Sequence, residues 1–284
     1  MEEILHNTSG DELYNGLLED DFESLVPGME VPRTLVYRHP EIFDIAYPGH
    51  PGDAAFYAKK TQDADDGLYL GVGTGRIYGE VFDSNHNILG IDNCHEMIAT
   101  LFKRFPQIPE DNIIEASILD YKMPRSSFDT IIAPYSFLTQ FEEDDVMKIL
   151  AQVRKGLGSK GVFITDMFSP YLNPPAKQRR ESESSVQPDG TMIDIQRVYD
   201  HARQKILEIT NVQNGSLKLA FELNLSYYHP REVERMIKDA CLRIRSMWGD
   251  FNGTKFRPES SPAMVYCIDK PDYITFSFPP PNGK

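Results

Sequence analysis

The residues of this chain best placed to do chemistry are three glycines and an aspartate. Gly71, Gly73 and Gly75 alternate in the stretch Gly67-Leu-Tyr-Leu-Gly-Val-Gly-Thr-Gly-Arg76, directly after a short apolar run. Glycine admits positive φ and lets a ligand lie against bare backbone. A strand that turns through such a loop into a helix offers free backbone N–H groups to a polar ligand. The next apolar run, Asn87 to Asp92, ends in a carboxylate about 20 residues downstream, the usual place for one that grips a ribose. The spacing is G-x-G-x-G, without the third glycine of G-x-G-x-x-G. An adenosine-bearing ligand without a pyrophosphate suits that loop better than a dinucleotide.

Such a loop needs an α/β sheet behind it, and the chain supplies the pattern for one. Leu68–Leu70 and Asn87–Asp92 read as the first two strands, and Asn112–Ala116 and Phe128–Ala133 as the next two. Met97, Ile98, Leu101, Phe102 and Phe105 keep helical spacing, with Asp92 or Asn93 as the expected cap. Pro134 to Phe141 follow the fourth strand at its carboxyl end, where open α/β sheets bind ligands. A helix over Glu142–Lys155 starts with acids and ends in Arg154 and Lys155, matching its dipole. Gly158-Ser-Lys-Gly161 reads as a turn into the strand Val162–Thr165, which Asp166 follows. The composition then shifts: Ser169 to Gly190 is rich in Pro, Ser and charge and predicts a loop. Three β-like runs come next, Met192–Tyr199, Lys205–Thr210 and Leu217–Tyr227, with Asn214-Gly215 as a hairpin signal. The last run alternates, the mark of a strand with one covered face. His229-Pro230 opens a helix, and strands Ile244–Trp248 and Met264–Ile268 close the sheet.

LGVGTGR, ILGIDNCHEM and SFDTIIAPYSFLTQF, in this order, resemble class I S-adenosylmethionine-dependent methyltransferases, over roughly Asp44 to Lys270. The resemblance implies an α/β fold: a Rossmann-like, seven-stranded sheet with an inserted antiparallel β subdomain. The expected divisions are an arm at 1–36, a core at 37–168, the insertion at 169–229, and core completion with a tail at 230–284. The arm reads as a short amphipathic helix and linker, with a flap over the site or a dimer contact as its functional alternatives. S-adenosylmethionine is the implied cofactor. Tyr47, Gly71, Gly73, Thr74, Gly75, Arg76, Asp92, Asn93 and Met97 fall in segments that would hold it. So do Ser117, Ile118, Ala133 and Pro134. An aromatic at Tyr47 would suit a sulfonium cation. The chain departs from the family twice. Tyr69 stands where an acid usually braces the loop near the methionine amine, and Gln140 where relatives often carry a histidine.

Methyl transfer asks the protein to align donor and acceptor and, for an amine or hydroxyl, to supply a base. Tyr135, Gln140, Asp166 and His229 are the catalytic candidates. Gln140 can orient but not take a proton, His229 also suits a helix cap, and Asp166 is the carboxylate to watch for an amine. Tyr227 and Tyr228 would point to opposite faces of a strand, so at most one faces a pocket. The expected activity is methylation of a small molecule, an amine before a hydroxyl or carbon. The insertion type resembles that of small-molecule N-methyltransferases, including those of amino-sugar, amino-acid and secondary metabolism. The alternatives are a non-catalytic nucleoside- or protein-binding relative, and a protein or RNA methyltransferase.

Composition narrows these readings. In 284 residues the apolar share is 40% and the charged share 25%, the balance of a globular chain with a sizeable core. A net charge of −14 speaks against nucleic acid as partner, and Lys177-Gln-Arg179-Arg180 is the one compact basic stretch. Arg179, Arg180 and His201 are further candidates for meeting an anionic substrate. The three cysteines lack metal-ligand spacing and suit a reducing cytoplasm. No membrane span or signal peptide is read, no metal is expected, and a homodimer through the insertion is the expected assembly.

Overall fold

The protein is described here by a computed structural model covering residues 34–171, 180–215 and 217–271. Residues 1–33 of the arm expected at 1–36, and the Pro-rich tail, lie outside these. One sheet has seven strands. β2 (Gly67–Leu70), β3 (Ile88–Asp92), β4 (Ile113–Glu115), β5 (Phe128–Ala133) and β6 (Leu157–Phe168) run parallel. β12 (Ala263–Asp269) pairs antiparallel with β6 and with β11 (Arg243–Trp248), giving the order β11-β12-β6-β5-β2-β3-β4. β2 lies between β3 and β5, so the winding reverses there and a crevice opens at its carboxyl end.

The pleat divides the core in two. Leu68 and Leu70 face α5 (Glu143–Gly156) and α6 (Pro230–Asp239), together with Val146, Ile149, Leu150 and Val153 of α5. Tyr69 points the other way, among Phe56 and Tyr57 of α2 (Asp53–Thr61) and Tyr78 and Val81 of α3 (Arg76–Ser84). Burying each such large apolar side chain stabilises the fold by about 1.5–3 kcal/mol, so both helical layers are firmly held to the sheet. α5 carries Glu143, Asp144 and Asp145 in its first turn and Arg154 and Lys155 in its last, in line with its dipole.

The second sheet has the order β1-β10-β9-β8-β7. Its antiparallel strands are β7 (Arg180–Val186), β8 (Met192–Asp200), β9 (Lys205–Asn214) and β10 (Leu217–Ser226), and β1 (Thr34–Leu35) joins β10 in parallel. The face bearing Ile193, Ile195, Val212, Phe221 and Leu223 packs on α1 (Pro40–Ala46) and its flanks. Val198, Leu207 and Ile209 on the opposite face of β8 and β9 are buried as well.

Three expectations are corrected. Residues 180–186 form β7 instead of loop: an edge strand needs one neighbour, and its exposed Ser and Glu side chains leave no apolar alternation to read. The turn expected at Gly158–Gly161 lies within β6, as the register slips between Phe128↔Leu157 and Thr130↔Val162. Helix α4 (His95–Arg104) has Cys94 at its N-cap without a side-chain cap bond, and Asp92, two residues before it, accepts the Cys94 N–H.

Candidate active site

A cavity of about 640 Å³ lies at the carboxyl ends of β2, β3, β4 and β5. The loop after β2 gives it Gly71, Gly73, Thr74 and Arg76, and the β3 end and α4 give Asp92, Asn93 and Met97. Ser117 and Ile118 come from beyond β4, and Pro134, Tyr135 and Gln140 from beyond β5. Gly73 has φ +55°, and a Cβ there would meet nothing within 4 Å, so its backbone faces open space. Its N–H donates to Asp92 Oδ2 at 2.8 Å, and Cys94 N–H donates to Oδ1 at 2.9 Å. Desolvation raises the Asp92 pKa, outweighing the N–H groups of Gly73, Cys94 and Asn93 that oppose it. One carboxylate thus joins the glycine loop to the start of α4.

Three residues assigned by resemblance do not reach this cavity: Gly75, Ala133 and Tyr47. Gly75 faces α4, where a Cβ would fall 2.9 Å from Leu101 and 3.0 Å from Phe105; its glycine serves helix packing. Ala133 is fully buried, and its carbonyl accepts the Thr165 hydroxyl at 2.8 Å.

The acid absent at Tyr69 has a counterpart elsewhere. Tyr69 is 3% exposed and packs edge-on to Tyr78, 5.5 Å between centroids, a setting that favours a ring over a charge. Asp53, in the first turn of α2, grips both Arg76 Nη atoms at 2.9 and 2.7 Å. Burial alone would raise the Asp53 pKa, but the hydrogen bonds and charge of Arg76 outweigh it and hold the carboxyl below its usual value. Arg76 also lies over the Tyr135 ring at 5.1 Å. Thr74 Oγ1 donates to Asp44 Oδ1 at 2.6 Å, and Asp44 pairs with Arg104, so α1 is clasped across the loop.

A second cavity of about 430 Å³ lies between the core and the second sheet, and shares Tyr37, Phe43, Tyr135 and Gln140 with the first. Tyr47, expected at the cofactor, lies here instead. Its hydroxyl donates to Glu208 Oε1 at 2.5 Å and meets Thr210 Oγ1 at 2.8 Å. Glu208, 3% exposed, takes Arg197 Nε on its other oxygen at 2.5 Å. Burial and the neighbouring Glu208 push the Tyr47 hydroxyl far above the usual tyrosine pKa. His50, Ser169, Tyr199 and Tyr227 add to its polar lining.

The four catalytic candidates divide evenly. Tyr135 and Gln140 lie on the wall between the cavities. Asp166 is completely buried and lines neither. It accepts the N–H groups of Tyr135 at 2.7 Å and Ser136 at 2.8 Å, and the Tyr57 hydroxyl at 2.6 Å. Tyr135 and Ser136 have φ of 58° and 53°, a strained turn for residues with a Cβ, and Asp166 holds it. Burial raises the Asp166 pKa against those hydrogen bonds. The carboxylate expected to meet an amine is therefore a positioning group. His229 lines neither cavity: it is the N-cap of α6, its N–H donates to Glu232 Oε2 at 2.7 Å, and its ring packs by Tyr171 and Tyr227.

Tyr227 faces the second cavity, with its hydroxyl 3.1 Å from His201 Nδ1. Tyr228 turns into the core and donates to Phe141 O at 2.7 Å. Arg179 lies outside the described residues, and Arg180 opens β7.

The sequence reading missed Asp44, His50, Asp53 as a loop brace, Arg197 and Glu208. Arg197 and Glu208 did leave a signal. Each interrupts an apolar face of its strand, and they sit at paired register positions of β8 and β9. Among the described residues no group of three or more His, Cys, Asp or Glu could hold a metal ion, and no helix is long and apolar enough to cross a membrane.

Residues 68–161 match a family model described as a methyltransferase domain. The sequence matches no curated protein. The fold is similar to the CcbJ methyltransferase of Streptomyces caelestis, TM-score 0.69 at 19% identity, over 79% of this chain and 98% of that one. It is similar to an S-adenosylmethionine-dependent methyltransferase of Clostridium acetobutylicum, TM-score 0.69 at 17% identity, over 82% and 98%. It is also similar to CalS10, an amino pentose methyltransferase of Micromonospora echinaspora solved with S-adenosylmethionine bound, TM-score 0.61 at 15% identity, over 81% and 97%. Residues 68–161 thus match a methyltransferase domain, and the chain has the class I fold of S-adenosylmethionine-dependent methyltransferases.

Proposed function

We propose that the chain moves the methyl group of S-adenosylmethionine onto a small-molecule acceptor, an amine in preference to a hydroxyl or carbon. The observation that carries this reading is the pair of cavities meeting at Tyr37, Phe43, Tyr135 and Gln140. The first fits the donor. It offers exposed backbone at Gly73, a ribose-sized acceptor in Asp92, and a cation-friendly wall of Tyr37, Phe43 and Tyr135 where the sulfonium would sit. Gly71, Gly73 and Asp92 would hold the nucleoside, with Asn93, Met97, Ser117 and Ile118 around the base and Thr74 and Arg76 toward the amino acid.

The second cavity fits the acceptor, under the antiparallel insertion of residues 169–229. Its volume falls within the range of small-molecule pockets. Gln140 and Tyr135 orient the nucleophile across the shared wall, and Asp166 fixes Tyr135 from behind. Bringing nucleophile and methyl carbon together without water between them is the main catalytic task. The amine preference leans on the likeness to the amino pentose methyltransferase. A cytoplasmic setting suits the three free cysteines. The exposed apolar pair Val186 and Met192, side by side at the end of the β7–β8 hairpin, supports a homodimer through the insertion.

The test is mass spectrometry of the protein incubated with S-adenosylmethionine and a pooled metabolite extract, beside Asp92→Ala. A product heavier by one methyl, absent with the variant, is expected. Absence of both product and donor binding in the wild type would end the reading.

A further inference from the structure

We propose that His50 is the general base of the acceptor cavity, taking the proton of a protonated amine acceptor before attack. This rests on the function proposed above and names the group that does what Gln140 cannot.

His50 lines the second cavity, with its ring centroid 6.1 Å from that of Tyr135, on the wall where the two cavities meet. Among the described residues lining that cavity it is the one histidine, the side-chain type suited to general acid–base work. The carboxylate of Glu208 is engaged on both oxygens, by the Tyr47 hydroxyl and by Arg197. The Tyr47 and Tyr135 hydroxyls are pushed above the usual tyrosine pKa, chiefly by burial, and remain protonated at neutral pH.

The imidazole is held in place from several sides. It stacks on Phe251 at 5.6 Å and 24°. The His50 backbone N–H donates at 3.1 Å to Asp53 Oδ2, the same carboxylate that grips Arg76. At the preceding residue, a Cβ on Gly49 would fall 2.2 Å from Arg76 Cζ, so this loop lies directly on the guanidinium of the donor loop. The charged groups near His50 are therefore Asp53, Arg76 and Asp166. Burial raises the Asp166 pKa, against the hydrogen bonds of Tyr57, Ser136 and Tyr135 and the nearby charge of His50.

A second observation marks this cavity as a ligand site. Ser169 Oγ lines it, is buried, and has no hydrogen-bond partner. A buried hydroxyl of that kind awaits a polar group that the protein does not supply.

The step balances. The proton of the acceptor ammonium passes to the imidazole, and the freed nitrogen lone pair forms the new N–C bond. The S–C bond breaks with its electrons left on sulfur. The methylated ammonium and the imidazolium then release their protons to solvent.

The experiment compares full-length wild type, His50→Gln and His50→Ala in the metabolite-pool assay, using S-adenosylmethionine with a deuterated methyl group. Each is also titrated with S-adenosylhomocysteine. His50→Gln is expected to lose about 100-fold in rate or more while its S-adenosylhomocysteine affinity stays within twofold. Wild-type rate should rise through an inflection in the histidine range that the variant lacks, and added imidazole should restore part of the His50→Ala rate. A His50→Gln rate within threefold of wild type, with the same pH profile, overturns the assignment and leaves the methyltransferase reading standing. No product from wild type together with no S-adenosylhomocysteine binding removes both.

Discussion

The first cavity is built around a glycine loop bonded through its backbone, the second around side chains from distant elements. In the first, Gly71, Gly73 and Asp92 lie within one β-loop-α-β unit, and the decisive contact is a backbone N–H on a carboxylate at 2.8 Å. In the second, Tyr47, Arg197, Glu208 and His50 come from α1's end, two strands and a loop, with Tyr47 bonding Glu208 across 161 residues. A backbone-built site demands glycines at fixed spacing and so writes a motif. A side-chain-built site demands only that distant residues meet, and any of several residue types can do the meeting. On the proposed function, the difference teaches that the common donor and the particular acceptor would be recognised by two kinds of construction joined at Tyr135.

The largest expected effect breaks the donor side. Asp92→Ala removes the acceptor of two backbone N–H groups and of the ribose, and S-adenosylhomocysteine affinity should fall about 100-fold or more, measured by calorimetry. Next comes Glu208→Gln, which leaves Arg197 without its buried counter-charge. Product formation should fall about 30-fold with donor affinity unchanged within twofold, measured by the mass assay beside a titration. A fall in donor affinity of similar size would erase the distinction between the cavities.

The shared wall sharpens the comparison. Asp166→Asn presents an amide donor to the Tyr135 and Ser136 N–H groups, so at least one loses its acceptor. The fold should lose about 1–3 kcal/mol in denaturant titrations, and donor affinity and turnover should fall together, because Tyr135 serves both cavities.

The smallest effect is a pH dependence. Burial raises the Asp92 pKa in the folded chain, so its carboxylate protonates at a higher pH than an exposed one would. Donor affinity is full where Asp92 is ionised and is lost as pH falls, starting above the usual aspartate value of about 3.9. Asp92→Asn should flatten that profile.

The same division explains what could be read beforehand. The sheet was legible because Leu68, Leu70 and Phe128–Ala133 are buried strand residues with no other fate, and the glycine loop because its φ values exclude most residues. Gly75 was read with the loop, but its missing Cβ makes room for Phe105, and sequence does not tell a glycine kept for packing from one kept for a ligand. Asp166 follows the expected strand Val162–Thr165 but lies within β6; that it turns inward depends on the positive φ of Tyr135 and Ser136, 31 and 30 positions away. Tyr47 was placed by analogy at the donor, yet its hydroxyl is drawn to Glu208, a partner that only the β8–β9 pairing brings near. β7 was missed because an exposed edge strand carries no apolar pattern.

The most direct measurement is calorimetric titration of S-adenosylhomocysteine into wild type, Asp92→Ala and Glu208→Gln side by side. The account predicts one site per chain in wild type, the same affinity within twofold in Glu208→Gln, and binding lost in Asp92→Ala. No binding to the wild type, or equal weakening in both variants, would contradict it.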